Sequence, residues 1–289
     1  MIASAPGKVL LLGEHSVVYG HPALAAALDL RVTVEVEDNA NIARLDLPGG
    51  FPVPAAVLDA VGTLARAAGH RGGFVVKVRS ELPLGGGLGS SAALGVALAR
   101  AFKPGCAPDE AASLAMHLER VLHGSPSGVD PAICARGGVI EFVKGNDAEP
   151  PRIETVSGKA WLCVAPTGIA RGTHTTVLPL AQRRLTDPRV DQSMARLGEL
   201  ARRGRPAFES GEAKTLGALF DEAHAILQEL GVSCAELDQV VLALRQGGAL
   251  GAKLTGAGGG GAAIGLANDY GHARDLAVRT GGFAVQVGA

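Results

Sequence analysis

Aromatic side chains are scarce in this sequence: they make up 3% of the 289 residues, with a single Trp. Any core must therefore be filled by Ala, Val and Leu, packed on a backbone that can come close. A surplus of one charge is also lacking, since 27 basic residues face 28 acidic ones and the isoelectric point is near 6.7. No broad basic field exists for nucleic acid or an anionic membrane, so any anion bound is expected to be small and held locally. Only four cysteines are present, Cys106, Cys134, Cys163 and Cys234, and they form no CxxC pair. That spacing suits neither a zinc site nor a disulfide framework, and the four are expected to be reduced core thiols of a cytoplasmic protein. The N-terminus lacks a basic stretch followed by a long apolar run, so neither a signal peptide nor a membrane span is expected.

What is abundant is glycine, 41 residues, within a composition that is 47% hydrophobic and 19% charged. This is the balance of a folded chain, and its length exceeds what one core usually organises, which predicts two domains. Val9 to Leu12 reads as a short strand, then a Gly13-Glu14-His15 turn and a second extended segment around Val17-Val18-Tyr19. Strands are expected at 31–36 and 74–78, with a helix over 53–68 between them. The Ala/Leu-rich run 90–102 and the amphipathic run 109–123 predict two further helices. After a strand at 139–143, the polar, Pro-containing stretch 145–158 marks a domain boundary. The second half alternates, with a strand at 160–165, helices over 190–202, 213–230 and 233–246, and strands at 251–254 and 262–266. The domains are thus expected over 1–157 and 158–289.

Two glycine loops carry the chemistry. In the run 84–93, LGGGLGSSAA, glycines let backbone approach a ligand, and the helix that follows aims free N–H groups and its positive dipole end at it. A polyphosphate suits such a place. Ser90 and Ser91 can cap the helix, or a hydroxyl there can coordinate the Mg²⁺ that travels with ATP. No GxxxxGK[ST] loop is present, nor the HRD and DFG sites of protein kinases. The second loop, 256–261, matches GxGxxG in form, but a strand-like segment follows it and no acidic residue lies about 20 positions on, which speaks against a dinucleotide fold. It either folds over phosphates or supports the first loop.

Three segments in order, Pro6-Gly7-Lys8 through Gly13-Glu14-His15, Gly85 through Ala93, and Lys253 through Gly261, resemble the three motifs of the GHMP kinases. Within that family the strings GEHSVVYG at 13–20 and HGSPSGVD at 123–130 resemble mevalonate kinases. The resemblance implies an α+β fold: a ribosomal-protein-like βα N-terminal domain that binds ATP, a ferredoxin-like C-terminal domain, and an active site in the cleft between them. It also implies ATP and mevalonate as substrates and Mg²⁺ as cofactor, with no nucleic acid or membrane partner; monomer and homodimer are both left open. Another acceptor, such as phosphomevalonate, homoserine or a sugar, is the nearest alternative, and a non-catalytic paralogue the next.

The resemblance also assigns residues. Gly85, Gly86, Gly87, Leu88, Gly89, Ser90 and Ser91 fall to the ATP phosphates, and Ser91 with Glu119 to Mg²⁺. Lys8 pairs with Asp130, which takes or orients the hydroxyl proton; Lys8 stabilises the developing alkoxide. Gly13, Glu14, His15, Arg171 and Thr173 surround the acceptor, with Arg171 gripping its carboxylate. Gly172 stands where the family pattern has Asn. Asp130-Pro131 has a purely structural reading as well, Asp being a favoured helix cap and Pro a favoured first residue. His117, His174, His224 and the remaining histidines lack metal spacing and are read as structural.

Overall fold

The structure is a computed structural model that describes residues 1–83, 85–146, 148–169 and 174–288, residue 174 by its backbone only. Arg171 and Thr173 lie outside the described residues. The chain divides into two compact units, each made of separated segments: the first comprises Met1–Lys8, Asp29–Leu82 and Gly89–Gly137, and the second Val9–Leu28, Pro83–Leu88 and Gly138–Ala289. Strands β1 (Ile2–Leu12) and β2 (Ala23–Asn39) each contribute residues to both units.

In the first unit, β4 (Gly73–Ser80) pairs antiparallel with residues 32–39 of β2 and parallel with β3 (Ala43–Asp46). Val32, Val34 and Val36 are buried at every second position, the alternation that predicted a half-buried strand. Four helices complete the unit: α1 (Ala55–Ala67), α2 (Ser90–Phe102), α3 (Pro108–His123) and α4 (Val129–Arg136). α2 and α3 run antiparallel across a short connection and approach so closely that a Cβ on Gly95 would lie 2.9 Å from the Ala115 methyl. Small residues on both helices are what permit that approach. α4 is eight residues long, too short to show a hydrophobic period, and the sequence marks only its start, through Asp130-Pro131.

In the second unit, residues 23–26 of β2 pair with β5 (Val139–Val143), and β5 pairs with β6 (Arg152–Thr155), both antiparallel. A separate antiparallel sheet has the order β10-β7-β9-β8, from β7 (Lys159–Pro166), β8 (Gly251–Thr255), β9 (Ala262–Ala267) and β10 (Phe283–Gly288). Counting those four strands along the chain gives spatial order 4-1-3-2, which is the ferredoxin-like arrangement. Helices α5 (His174–Arg184), α6 (Pro188–Glu209), α7 (Ala213–Glu229) and α8 (Ala235–Gln246) lie between β7 and β8 in sequence, and α9 (Tyr270–Thr280) joins β9 to β10.

Several expectations change. The segment at 17–19 is a 3₁₀ turn, Ser16–Tyr19, closed by Gly20 in the left-handed region, because the preceding His15 turns the chain before a strand can continue. The strand expected to begin at Val9 starts at Ile2. Cys134 and Cys163 are buried, but Cys106 and Cys234 are half-exposed, so only two of the four are core thiols. No helix among the described residues is long and apolar enough to cross a membrane.

Candidate active site

The first unit gathers Lys8, Ser91, Glu119 and Asp130 from four different elements. Ser91 stands one turn before Gly95 on α2, and Glu119 one turn after Ala115 on α3; the Gly95–Ala115 approach therefore sets the two oxygens opposite each other. Their side chains interact, and the Ser91 hydroxyl is also 3.1 Å from His123 Nε2. Glu119 is 2% exposed; among the described residues its Oε1 has no hydrogen-bond partner, His123 Nε2 standing 3.8 Å away. Burial, then the charge of Asp130, push its carboxyl up to about 7, against the opposing pull of Ser91 and Lys8. A buried carboxylate with an unmet oxygen beside a hydroxyl is a donor set that fits Mg²⁺ in the way nucleotide enzymes use it, with few protein oxygens and the rest from phosphates and water. Among the described residues no group of three or more His, Cys, Asp or Glu is arranged to hold a metal alone.

Lys8 and Asp130 form an ion pair of 2.9 Å. Lys8 is 3% exposed, and Asp130 29%, so the carboxylate has an open side while the ammonium is enclosed. Burial works to lower the Lys8 pKa, but the adjacent Asp130 outweighs it and the net shift is upward, which keeps Lys8 charged. Its stem is packed beneath the start of α2: a Cβ on Gly89 would lie 2.6 Å from Lys8 Cγ, and Gly89 itself has φ +74°. Gly89 is thus needed both for its conformation and for the room it leaves. Arg100, which the sequence reading did not single out, donates to the Ser4 and Ala135 carbonyls at 3.0 and 2.6 Å, tying β1 to α4 and so the Lys8 strand to the Asp130 helix.

Two structural readings from the sequence do not hold. Asp130 is not the cap of α4: Gly128 is, in the left-handed region, so Asp130 is the second helical residue and Pro131 the third. α2 is likewise capped by Gly89 with no side-chain cap bond, leaving the hydroxyl of Ser91 for Glu119 and His123. Freed of capping, Asp130 and Ser91 are available for chemistry. His123 has no metal spacing in the sequence, and its place beside Ser91 emerges only from the α2–α3 packing; the HGSPSGVD string that begins with it is the available signal.

Gly85, Gly86, Gly87 and Leu88 fall in the second unit and Gly89, Ser90 and Ser91 in the first. Gly85 and Gly87 have φ of +69° and +67° and are exposed, while Leu88 is buried as an anchor. The second glycine loop backs the first: a Cβ on Gly256 would come 3.3 Å from the Gly87 carbonyl oxygen, and one on Gly261 3.4 Å from that of Gly86. The backbone of the second loop thus supports the first, one of the two roles its sequence leaves open.

Gly13, Glu14 and His15 form a buried turn in the second unit. Gly13 has φ +96° and no space for a Cβ, which would fall 2.6 Å from the Pro22 carbonyl oxygen. His15, also left-handed at φ +60°, places Nε2 3.0 Å from the Ala257 carbonyl oxygen. Glu14 is paired with Lys253, both fully buried.

Burial holds the His15 pKa down to about 4, only partly offset by the Ala257 carbonyl. His224, buried between α7 and β8, is held down to about 4 by burial and then by Arg245, against Asp238. Both rings are neutral in the fold, whereas the unfolded chain protonates them near pH 6.5. Between pH 6.5 and 4 the unfolded state therefore binds more protons, and stability falls as pH falls through that window. At pH 5 each ring is expected to account for about 2 kcal/mol of lost stability. Urea unfolding at pH 7.5 and 5.0 checks this: the loss in His224→Gln should be smaller than in the parent by about that amount, and an equal loss would reject the assignment.

Residues 55–138 match the GHMP kinase N-terminal domain and residues 205–279 the GHMP kinase C-terminal domain; residues 1–37 match the galactokinase galactose-binding signature. The chain is 37% identical to the mevalonate kinase of Thermococcus sibiricus, over 92% of this chain and 89% of that one. It is 38% identical to the mevalonate kinase of Aeropyrum pernix, over 91% and 87%. The crystal structure of L. major mevalonate kinase in complex with R-mevalonate superposes with a TM-score of 0.84 at 25% identity, covering 100% of this chain and 96% of that one. With near-complete coverage at this identity, and both GHMP domains matched in order, the chain belongs to the mevalonate kinase family of the GHMP kinases.

Proposed function

We propose that the chain transfers the γ-phosphoryl of ATP to the hydroxyl of mevalonate, yielding 5-phosphomevalonate. The observation that carries this reading is the Lys8–Asp130 pair, its ammonium enclosed and its carboxylate open on one side, standing beside the start of α2 with the Ser91 and Glu119 oxygens on the same unit. Phosphoryl transfer asks for positioning and charge neutralisation. The free N–H groups at the start of α2 and the loop Gly85–Ser91 receive phosphate oxygens. Asp130, with one side open, takes the proton of the acceptor hydroxyl, and Lys8 holds the alkoxide charge that develops there. Ser91 and Glu119 are the residues that would hold the Mg²⁺ of Mg·ATP, which when bound would supply charge neutralisation at the phosphates. Gly13, Glu14 and His15, with Arg171 and Thr173 from outside the described residues, are assigned to the acceptor. The division of the sequence at 157/158 and a cytoplasmic location complete the reading.

A coupled ADP-release assay over mevalonate, phosphomevalonate, homoserine and galactose tests it. Turnover of mevalonate is expected. The match of residues 1–37 to a galactose-binding signature favours a second reading, sugar phosphorylation, and turnover of galactose without mevalonate would establish that instead. Glu119→Gln should weaken productive use of Mg·ATP, because it removes a formal charge from the cation's oxygen set. The apparent Mg²⁺ requirement is expected to rise about tenfold, as a loss of about 1.4 kcal/mol would give, and high Mg²⁺ should recover part of the rate. A Mg²⁺ titration superimposable on the parent's would remove Glu119 from the site.

A further inference from the structure

Lys253 is a fully buried cation for which the proposed chemistry has no use. Its ammonium meets the Glu14 carboxylate, the Leu10 carbonyl at 3.4 Å and the Leu254 carbonyl at 2.7 Å. Thr255, two residues on and therefore on the same face of β8, donates to the Leu10 carbonyl at 3.1 Å and accepts from the Leu10 N–H at 2.8 Å. The Ala257 carbonyl then meets His15 Nε2 at 3.0 Å. Lys253, Thr255 and Ala257, alternate residues of one strand end and its following turn, thus hold the end of β1, Glu14 and His15. The turn they hold needs it, because a non-glycine residue at φ +60° persists only where its surroundings over-determine it.

We infer that Lys253 is a positioning residue for the acceptor: through its buried ion pair with Glu14 it fixes the Gly13–His15 turn in the conformation that binds the substrate hydroxyl compound. The inference rests on the proposed role of that turn in acceptor binding. Neither Lys253 nor Glu14 exposes any side-chain surface, so neither touches substrate itself and any effect of changing the pair on acceptor affinity is transmitted through the turn. The same strand end backs the phosphate loop at Gly86 and Gly87, yet those contacts are made by the backbone of residues 255–261 and do not involve the Lys253 ammonium. The pair is therefore specific to the acceptor side.

The test is a KM split. Lys253→Met alone takes the paired cation away from the buried Glu14 carboxylate, so the decisive variant is Glu14→Gln/Lys253→Met, which removes both charges at once. With ATP saturating, its KM for the acceptor is expected to rise about 10- to 100-fold, as loss of uniform binding would give, while the KM for ATP stays within about two-fold of the parent. A pair that only stabilises the fold would lower the melting temperature and leave both KM values in place, and that result overturns the inference. If the double variant shows no cooperative melt, Thr255→Val decides, since it loosens the same template at Leu10 without burying a charge. Its acceptor KM should rise at least three-fold, and a folded Thr255→Val with acceptor KM and ATP KM both unchanged is equally fatal. The acceptor used is whichever compound the parent turns over in the four-substrate assay. Failure of the mevalonate reading is thereby seen in the parent, and failure of this inference only in the variants.

Discussion

Replacing Asp130 by Asn is expected to lower kcat by roughly 10²–10⁴, the range that follows loss of a general base. Asn keeps the shape and can still orient a hydroxyl, but it cannot accept the proton. The structural alternative is weaker than it was from sequence, because α4 is capped by Gly128 and Asp130 is its second residue. An acidic residue in the first turn does gain from the helix dipole, so a small stability loss, about 0.3–1 kcal/mol, accompanies the substitution. Melting temperature and KM for ATP should otherwise remain near the parent values. A folded Asn variant with kcat within a few-fold of the parent would sink the proposed mechanism and leave Asp130 as a first-turn carboxylate and no more.

Lys8→Met should cost kcat about 10²–10³, the effect of removing one preorganised group that stabilises charge at the reacting oxygen. Stability responds differently from rate here. Removing one partner of a fully buried pair is strongly destabilising, but Asp130 keeps an open side to water and Met replaces an enclosed, desolvated ammonium with an apolar group of similar length. Thermal unfolding is therefore expected to change by about 1 kcal/mol or less while the rate collapses. Lys8→Arg should not restore the rate, since the Lys8 stem is already packed against Gly89 and the planar guanidinium has no matching space. Steady-state kinetics with parallel melts on both variants check the argument. Equal losses of rate and stability in Lys8→Met would mark Lys8 as structural, and full activity in Lys8→Arg would mean that charge alone suffices.

Much of the fold was legible because its signals are local. The α2 run, Ser90–Phe102, is rich in the helix formers Ala and Leu after glycines, and its bounds agree with the expectation; so do those of β5. Where local signals are weak the reading failed for identifiable reasons. α4 is too short to carry a period, and β1 carries small residues, Pro6 and Gly7 ahead of its apolar run, so that its strand character comes from pairing. The segment at 17–19 has strand-like composition but follows a left-handed His15, a conformation that composition does not reveal.

The candidate site divides in the same way. Sequence by itself determined the chemistry on offer: glycines ahead of a helix, the GEH and HGSPSGVD strings, and the carboxylates and lysine that the family resemblance picks out. Those are properties of short stretches, and backbone freedom, helix propensity and charge type are set residue by residue. Tertiary structure alone decided which of them meet. Ser91 and Glu119 face each other because Gly95 and Ala115 let two helices close up, and Lys8 stays charged while buried because α4 brings Asp130 to 2.9 Å. Lys253 reads as an ordinary residue of a glycine-loop motif until the fold encloses it against Glu14, 239 positions away in the chain. Long-range pairing, close packing of small residues and desolvation depend on neighbours that no window of the sequence contains, and they govern how a carboxylate or an ammonium behaves.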